Sequence, residues 1–257
     1  MQHTHSTSRP IIQDFLIWLI ISSIPFWVLG AVISTEDLPI NLPISALMAF
    51  NPMIIAIFLT FRASGRAEAI ALLKRTLDMK RIPSALWYIF ILLFMPIASL
   101  LAYGLMVMLN YDMPDPYVPI LIIPLFFILF FITATGEELG WSGYVFEPMQ
   151  RRWGTLSTGF LIGIIWAVWH IIPYIQTGNN ATWIFWQCVV TILLRVIIVW
   201  IFTNTQQSVF GAILFHTMIN VTAFVFPNYG SYYDPFIVSI VLVPLVIWIM
   251  MKQSSAH

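Results

Sequence analysis

Residues 125–146 read LFFILFFITATGEELGWSGYVF. The run is uncharged and strongly apolar until Glu137 and Glu138, which stand side by side inside it. Crossing the hydrocarbon core takes ~20 residues of helix. A charge at the centre of such a helix costs about 2.5–3.5 kcal/mol on insertion scales. Two adjacent carboxylates in this setting therefore mark a membrane helix that carries a site, and the rest of the chain follows from that reading.

Apolar runs of the same kind recur along the 257 residues. Eight segments qualify: Phe15–Ile33, Ile44–Phe61, Leu86–Leu109, Leu125–Phe146, Phe160–Tyr174, Trp183–Phe202, Val209–Phe226 and Phe236–Met251. The chain is 60% hydrophobic and only 9% charged, with a mean hydropathy of +0.90. A soluble domain carries about 25% charged residues. This composition needs a bilayer and predicts a single all-α membrane domain over residues 1–257, a bundle of about eight transmembrane helices. The first apolar run is too long for a signal-peptide core and reads as a retained helix.

Charge placement orients the bundle. Arg9, Arg62, Arg66, Lys74, Arg75, Lys80, Arg81, Arg151, Arg152 and Lys252 fall on one side of an eight-helix arrangement. Glu36, Asp37, Asp112, Asp115 and Asp234 fall on the other. Both termini are then cytoplasmic, and the setting that fits is a bacterial cytoplasmic membrane. The segment at about 65–82 reads as an amphipathic cytoplasmic helix with Ala69, Leu72, Leu73 and Leu77 on its apolar side, lying on the inner leaflet or acting as a solvated linker. Zero formal net charge implies no nucleic-acid partner, and Cys188, the single cysteine, makes no internal disulfide.

Within the apolar segments the ionisable groups are few: Glu137, Glu138, His170, Arg195 and His216, with the amide of Asn220 beside them. Such groups face the bundle interior and one another. His216 and Asn220 are four apart and share a helix face, as do Trp166 and His170. Glu137 and Glu138 sit about 100° apart on the helix wheel, so two different roles are expected. Pro119 and Pro124 suggest that the helix begins near Leu125, which moves Glu137 toward mid-membrane and within reach of His216. A glutamate and two histidines in a dry cavity suit hydrolysis by activated water. In one arrangement the glutamate is the base, with a histidine and an amide at the oxyanion. In the other, a divalent metal such as zinc is held at Glu137, His170 and His216. Trp166 reads as packing, Asn51-Pro52 as a kink, and Trp27, Trp87, Tyr88, Trp183 and Trp248 as an interfacial belt.

Three stretches carry a resemblance. Glu137-Glu138-Leu139-Gly140-Trp141-Ser142 resembles the Glu-Glu-x-x-x-Arg motif of the CPBP (CAAX protease and bacteriocin-processing) family. Trp166–His170 resembles that family's aromatic-x-x-x-His motif, and His216–Asn220 its His-x-x-x-Asn motif. The resemblance covers roughly 136–221. It implies a glutamate-dependent intramembrane endopeptidase acting on a membrane-embedded or lipidated peptide, prenylated CAAX or bacteriocin leader, in the lipid bilayer. It also implies roles: Glu137 activates water with His170, Glu138 stabilises the site, and His216 and Asn220 stabilise the oxyanion. The motif's arginine is Ser142 here, and Arg195, Arg151 and Arg152 are the candidates to supply its charge. Two alternatives remain: a non-catalytic immunity or interaction protein of the same fold, and a proton-coupled transporter that uses Glu and His as a relay.

Overall fold

The computed structural model describes residues 4–33, 44–113 and 115–254. Glu36, Asp37 and the Arg9 side chain lie outside that description. Among the described residues the regular structure is entirely helical: α1 Thr4–Val32, α2 Asn51–Ser64, α3 Arg66–Lys74, α4 Ala85–Met108, α5 Ile123–Gly140, α6 Phe146–Trp153, α7 Thr155–Gln176, α8 Ala181–Asn204, α9 Val209–Val225 and α10 Pro235–Ser254. Seven helical stretches are long and apolar enough to cross a membrane, and the chain is an integral membrane protein. The eighth apolar helix, α9, has 17 residues. It is the most enclosed helix of the bundle, packed against α4, α5 and α8, with Phe224 alone classed as exposed.

Helix boundaries follow local chemistry. A 3-10 turn over Ile44–Phe50 leads into α2, with Pro52 in the first turn, where its missing N–H costs nothing. Asn51-Pro52 thus marks a change of helix type at the start of α2. At the entry to α5 the chain is irregular through Pro119, makes a 3-10 turn at Ile120–Ile122, and becomes α-helical at Ile123, close to the expected start. The Trp141–Val145 segment is π-helical and joins α5 to α6, a feature that apolar periodicity did not disclose. Single π-turns inside α-helices are frequent at functional sites. α7 starts at Thr155, directly after Gly154 and five residues before the expected start.

The expected amphipathic helix is corrected by the structure. Only Arg66–Lys74 is α-helical, and two 3-10 turns, Arg75–Leu77 and Met79–Arg81, follow it. Ala69 and Leu72 are buried against the bundle, but Leu73 and Leu77 are exposed. The second half of the segment is anchored by polar bonds to the ends of other helices, so its side chains obey those bonds and not a helical wheel.

Small residues bring the site-bearing helices into backbone contact, as membrane helix packing commonly requires. A Cβ at Gly136 would lie 2.6 Å from the Ala49 carbonyl oxygen, and one at Gly140 would lie 2.6 Å from the Pro52 carbonyl carbon. These two glycines bracket Glu137 and Glu138 and seat α5 on the start of α2. Gly163 does the same between α7 and α8, where a Cβ would come within 3.1 Å of Ile192 Cα and 3.3 Å of Arg195 Cβ. Gly140→Ala is expected to lower stability by ~1–3 kcal/mol through overpacking. Gly104→Ala in α4, where a Cβ would meet nothing within 4 Å, is expected to be neutral. Thermal unfolding of the detergent-solubilised pair measures the difference.

Candidate active site

The two glutamates part company as their 100° offset requires. Glu138 is fully buried and accepts three hydrogen bonds. Arg195 Nη1 donates from α8 at 2.8 Å, Ser142 Oγ from the π-turn at 2.5 Å, and His216 Nδ1 from α9 at 2.9 Å. The histidine nitrogen must be the donor, because an ionised carboxylate only accepts. Glu137 faces a cavity of about 580 Å³ and accepts one hydrogen bond, from Trp166 Nε1 at 2.5 Å.

Trp166 holds the group together. Its N–H fixes Glu137, and its ring face lies 4.1 Å from the Arg195 guanidinium. It also meets His216 and His170 edge-on, at centroid distances of 5.1 and 5.5 Å. Arg195 is buried, and its Nε and Nη2 have no hydrogen-bond partner among the described residues. The aromatic face supplies favourable electrostatics in their place. The packing role expected for Trp166 therefore understates it; the four-residue spacing to His170 was the available signal.

His170 Nδ1 lies 2.8 Å from the Trp166 carbonyl oxygen. That oxygen accepts, so the proton sits on Nδ1 and Nε2 is left as an acceptor. His170, His216, Asn220, Glu137 and Trp166 all line the same cavity. Asn220 has no hydrogen-bond partner among the described residues, and its amide is free for a bound group. All six residues singled out from sequence thus meet: four on the cavity, with Glu138 and Arg195 behind them. Arg195 is the cation that reaches Glu138. Arg151 instead pairs with exposed Glu147 at 2.7 Å, and Arg152 lies over Trp153.

Metal ligation needs three or more convergent donors. Among the described residues no three His, Cys, Asp or Glu side chains are grouped so as to hold a metal ion. The set Glu137, His170 and His216 therefore does not fit a metal cage in this arrangement, and the chemistry below runs through the chain's own residues.

From Glu137 the cavity extends past Thr133, Phe130 and Leu129 of α5 toward the C-terminal ends of α7 and α9. Its mouth carries Thr177, Asn179, Trp183, Tyr229 and Ser231, at the bundle end away from the α8–α9 turn. Trp183, expected in the interfacial belt, stands at this mouth against Tyr174, with centroids 5.5 Å apart. The wall adds Met48, Ala49, Met95 and Phe224, so much of it is apolar, with Ser45, Ser99, Gln187 and Thr191 among its further polar groups. Behind it, Ser23 accepts hydrogen bonds from Trp169 Nε1 at 2.8 Å and Asn51 Nδ2 at 3.3 Å, tying α1, α2 and α7 together. That network leaves no periodic signature in the sequence.

A chamber among membrane helices, lined by a carboxylate, two imidazoles and an amide, defines a polytopic membrane protein with a cluster of ionisable side chains inside the bundle. Residues 119–222, which contain every one of these groups, match the model of the family described as type II CAAX prenyl endopeptidase Rce1-like. Over this stretch, about two fifths of the chain, it is similar to that family. It is also similar to CAAX prenyl protease 2 of Methanococcus maripaludis, 34% identical over 108 residues, which are 38% of this chain and 39% of that protein. The chain thus spans about two fifths of the length of that relative.

Removing one member of a buried ion pair costs about 3–5 kcal/mol, because the other charge is left uncompensated. Arg195→Met is expected to destabilise by that amount. The double variant Arg195→Met/Glu138→Gln should recover a substantial part, as read from unfolding midpoints in detergent.

Proposed function

We propose that the protein is an intramembrane endopeptidase of the CAAX prenyl type, hydrolysing a membrane-associated peptide with water activated at Glu137. The observation that carries this reading is the unequal use of the glutamates. Glu138 is saturated by Arg195, Ser142 and His216, which leaves Glu137 as the carboxylate facing the chamber.

A water between Glu137 and His170 gives its proton to Glu137 and is oriented by His170 Nε2. It attacks the scissile carbonyl and forms a tetrahedral oxyanion. The Asn220 amide donates to that oxyanion, and so does His216 Nε2 when the ring is an imidazolium counter-charged by Glu138. Electrostatic stabilisation of this kind is commonly the largest single contribution to acyl-transfer catalysis. Glu137 then returns the proton to the leaving amine, the C–N bond breaks, and no covalent acyl-enzyme forms. The apolar length of the chamber suits an apolar or lipidated peptide segment that enters at the Trp183 end. The relative's name points to prenylated CAAX termini as the substrate class, and the family resemblance adds bacteriocin leaders.

The test is a comparison of peptide termini in membranes from cells that express the wild type, Glu137→Gln or Asn220→Ala. General-base catalysis contributes about 10²–10⁴-fold. Glu137→Gln is expected to erase the wild-type cleavage products at unchanged expression, and Asn220→Ala to reduce them by about 10²–10³-fold. Products that persist in full with Glu137→Gln would sink the reading and favour a non-catalytic interaction protein.

A further inference from the structure

The loop between α3 and α4 touches neither the chamber nor its ligands, yet its polar side chains converge on the two helices that carry Glu138 and His216. Arg75 Nη1 donates to the Gly143 carbonyl oxygen, inside the π-turn that follows Glu138, at 2.9 Å. Its Nη2 donates to the Gln207 carbonyl oxygen, in the turn that precedes α9, also at 2.9 Å. Three residues on, the Asp78 carboxylate caps α9. It accepts from Ser208 Oγ at 2.7 Å, Phe210 N at 3.0 Å and Val209 N at 3.2 Å. Arg81 Nη1 donates to the Gln206 carbonyl oxygen at 2.9 Å.

The turn being held is a costly one. Gln206 and Gln207 both adopt positive φ, at 54° and 58°. Residues with side chains occupy that region sparsely and only where surroundings fix them. Each of these two residues has its carbonyl pinned by one arginine. The π-turn and α9 also touch directly: a Cβ at Gly143 would lie 3.5 Å from Val209. Arg75 therefore bridges two neighbouring backbones whose spacing fixes how Glu138 and His216 meet, seven residues into α9.

We propose that Arg75 is a positioning residue that sets the separation of the π-turn and the α9 N-terminus, and through it the Glu138–His216 contact. Arg81 holds the same turn but not the π-turn, which makes it the matched control. The bridge itself is independent of the reaction; its catalytic consequence rests on the hydrolytic reading above. A guanidinium is suited to the task because its rigid fork reaches two carbonyls at once, which an ammonium does not reproduce.

The experiment is hydrogen–deuterium exchange on the full chain in micelles, comparing wild type, Arg75→Ala, Arg75→Lys and Arg81→Ala, followed by the cleavage assay. Arg75→Ala should raise amide exchange in both 141–146 and 208–216, and Arg81→Ala only in 208–216. A misplacement near 1 Å costs ~10²-fold in rate. On that scale Arg75→Ala should lower kcat by ~10–100-fold with KM within ~3-fold, and Arg81→Ala should leave kcat within ~2-fold. If Arg75→Ala does not fold, Arg75→Lys, which reaches one carbonyl, is read in the same way. Exchange that rises in only one segment, or equally for both arginines, overturns the proposal. So does an unchanged kcat when both segments loosen. A wild type that cleaves nothing, with the exchange pattern as expected, overturns the hydrolytic reading and leaves the bridge standing.

Discussion

Glu138 is a carboxylate sealed inside a membrane bundle, and the fold is arranged around making that charge tolerable. Desolvating an ion costs several kcal/mol even after relaxation, and its partner compensates only in good geometry with further hydrogen bonds. Here the compensation comes from three places at once: Arg195 on α8, His216 on α9 and Ser142 one turn along its own chain. The glycines belong to the same requirement. Gly163 brings α7 within reach of the Arg195 stem, and Gly136 and Gly140 seat α5 on α2 on either side of the glutamate pair. Each close approach removes a side chain where a bulkier one would hold the charged groups apart.

The saturation of Glu138 gives Glu137 its character. Neighbouring residues on a helix point about 100° apart, so the partners that enclose one cannot enclose the other. Glu137 is left with one donor and an open side. Trp166 couples the two halves, because one indole touches Glu137 through its N–H, Arg195 through its face and both histidines through its edges. A shift of that ring would disturb Glu137, Arg195 and both imidazoles together.

Much of this was readable from residue order because it rests on short-range periodicity. Apolar runs of membrane length located the spans, four-residue spacings put His216 with Asn220 and Trp166 with His170, and the rarity of charge in those runs picked out the site. What escaped reading depends on contacts between distant parts of the chain. The Asp78 cap on Ser208 spans 130 residues, and the Ser23–Trp169 bond spans 146. Neither has a local signature. The amphipathic pattern around Leu77 misled for the related reason that Arg75 and Asp78 answer to those distant partners. The π-turn was hidden because one extra residue in a turn leaves the apolar composition unchanged while rotating everything after it.

The short, enclosed α9 has one more consequence. At ~1.5 Å per residue its 17 residues span about 25 Å, less than a typical hydrocarbon core of about 30 Å. A lipid-facing helix of that length would force the bilayer to thin around it. α9 meets protein on nearly every side, so the mismatch never reaches lipid. Its height is set by the Asp78 cap and by its packing on α4, α5 and α8. Changes in acyl-chain length or sterol content would therefore act on the outer helices and leave the register of His216 and Asn220 against Glu137 and Glu138 unaltered, insulating the site from membrane thickness.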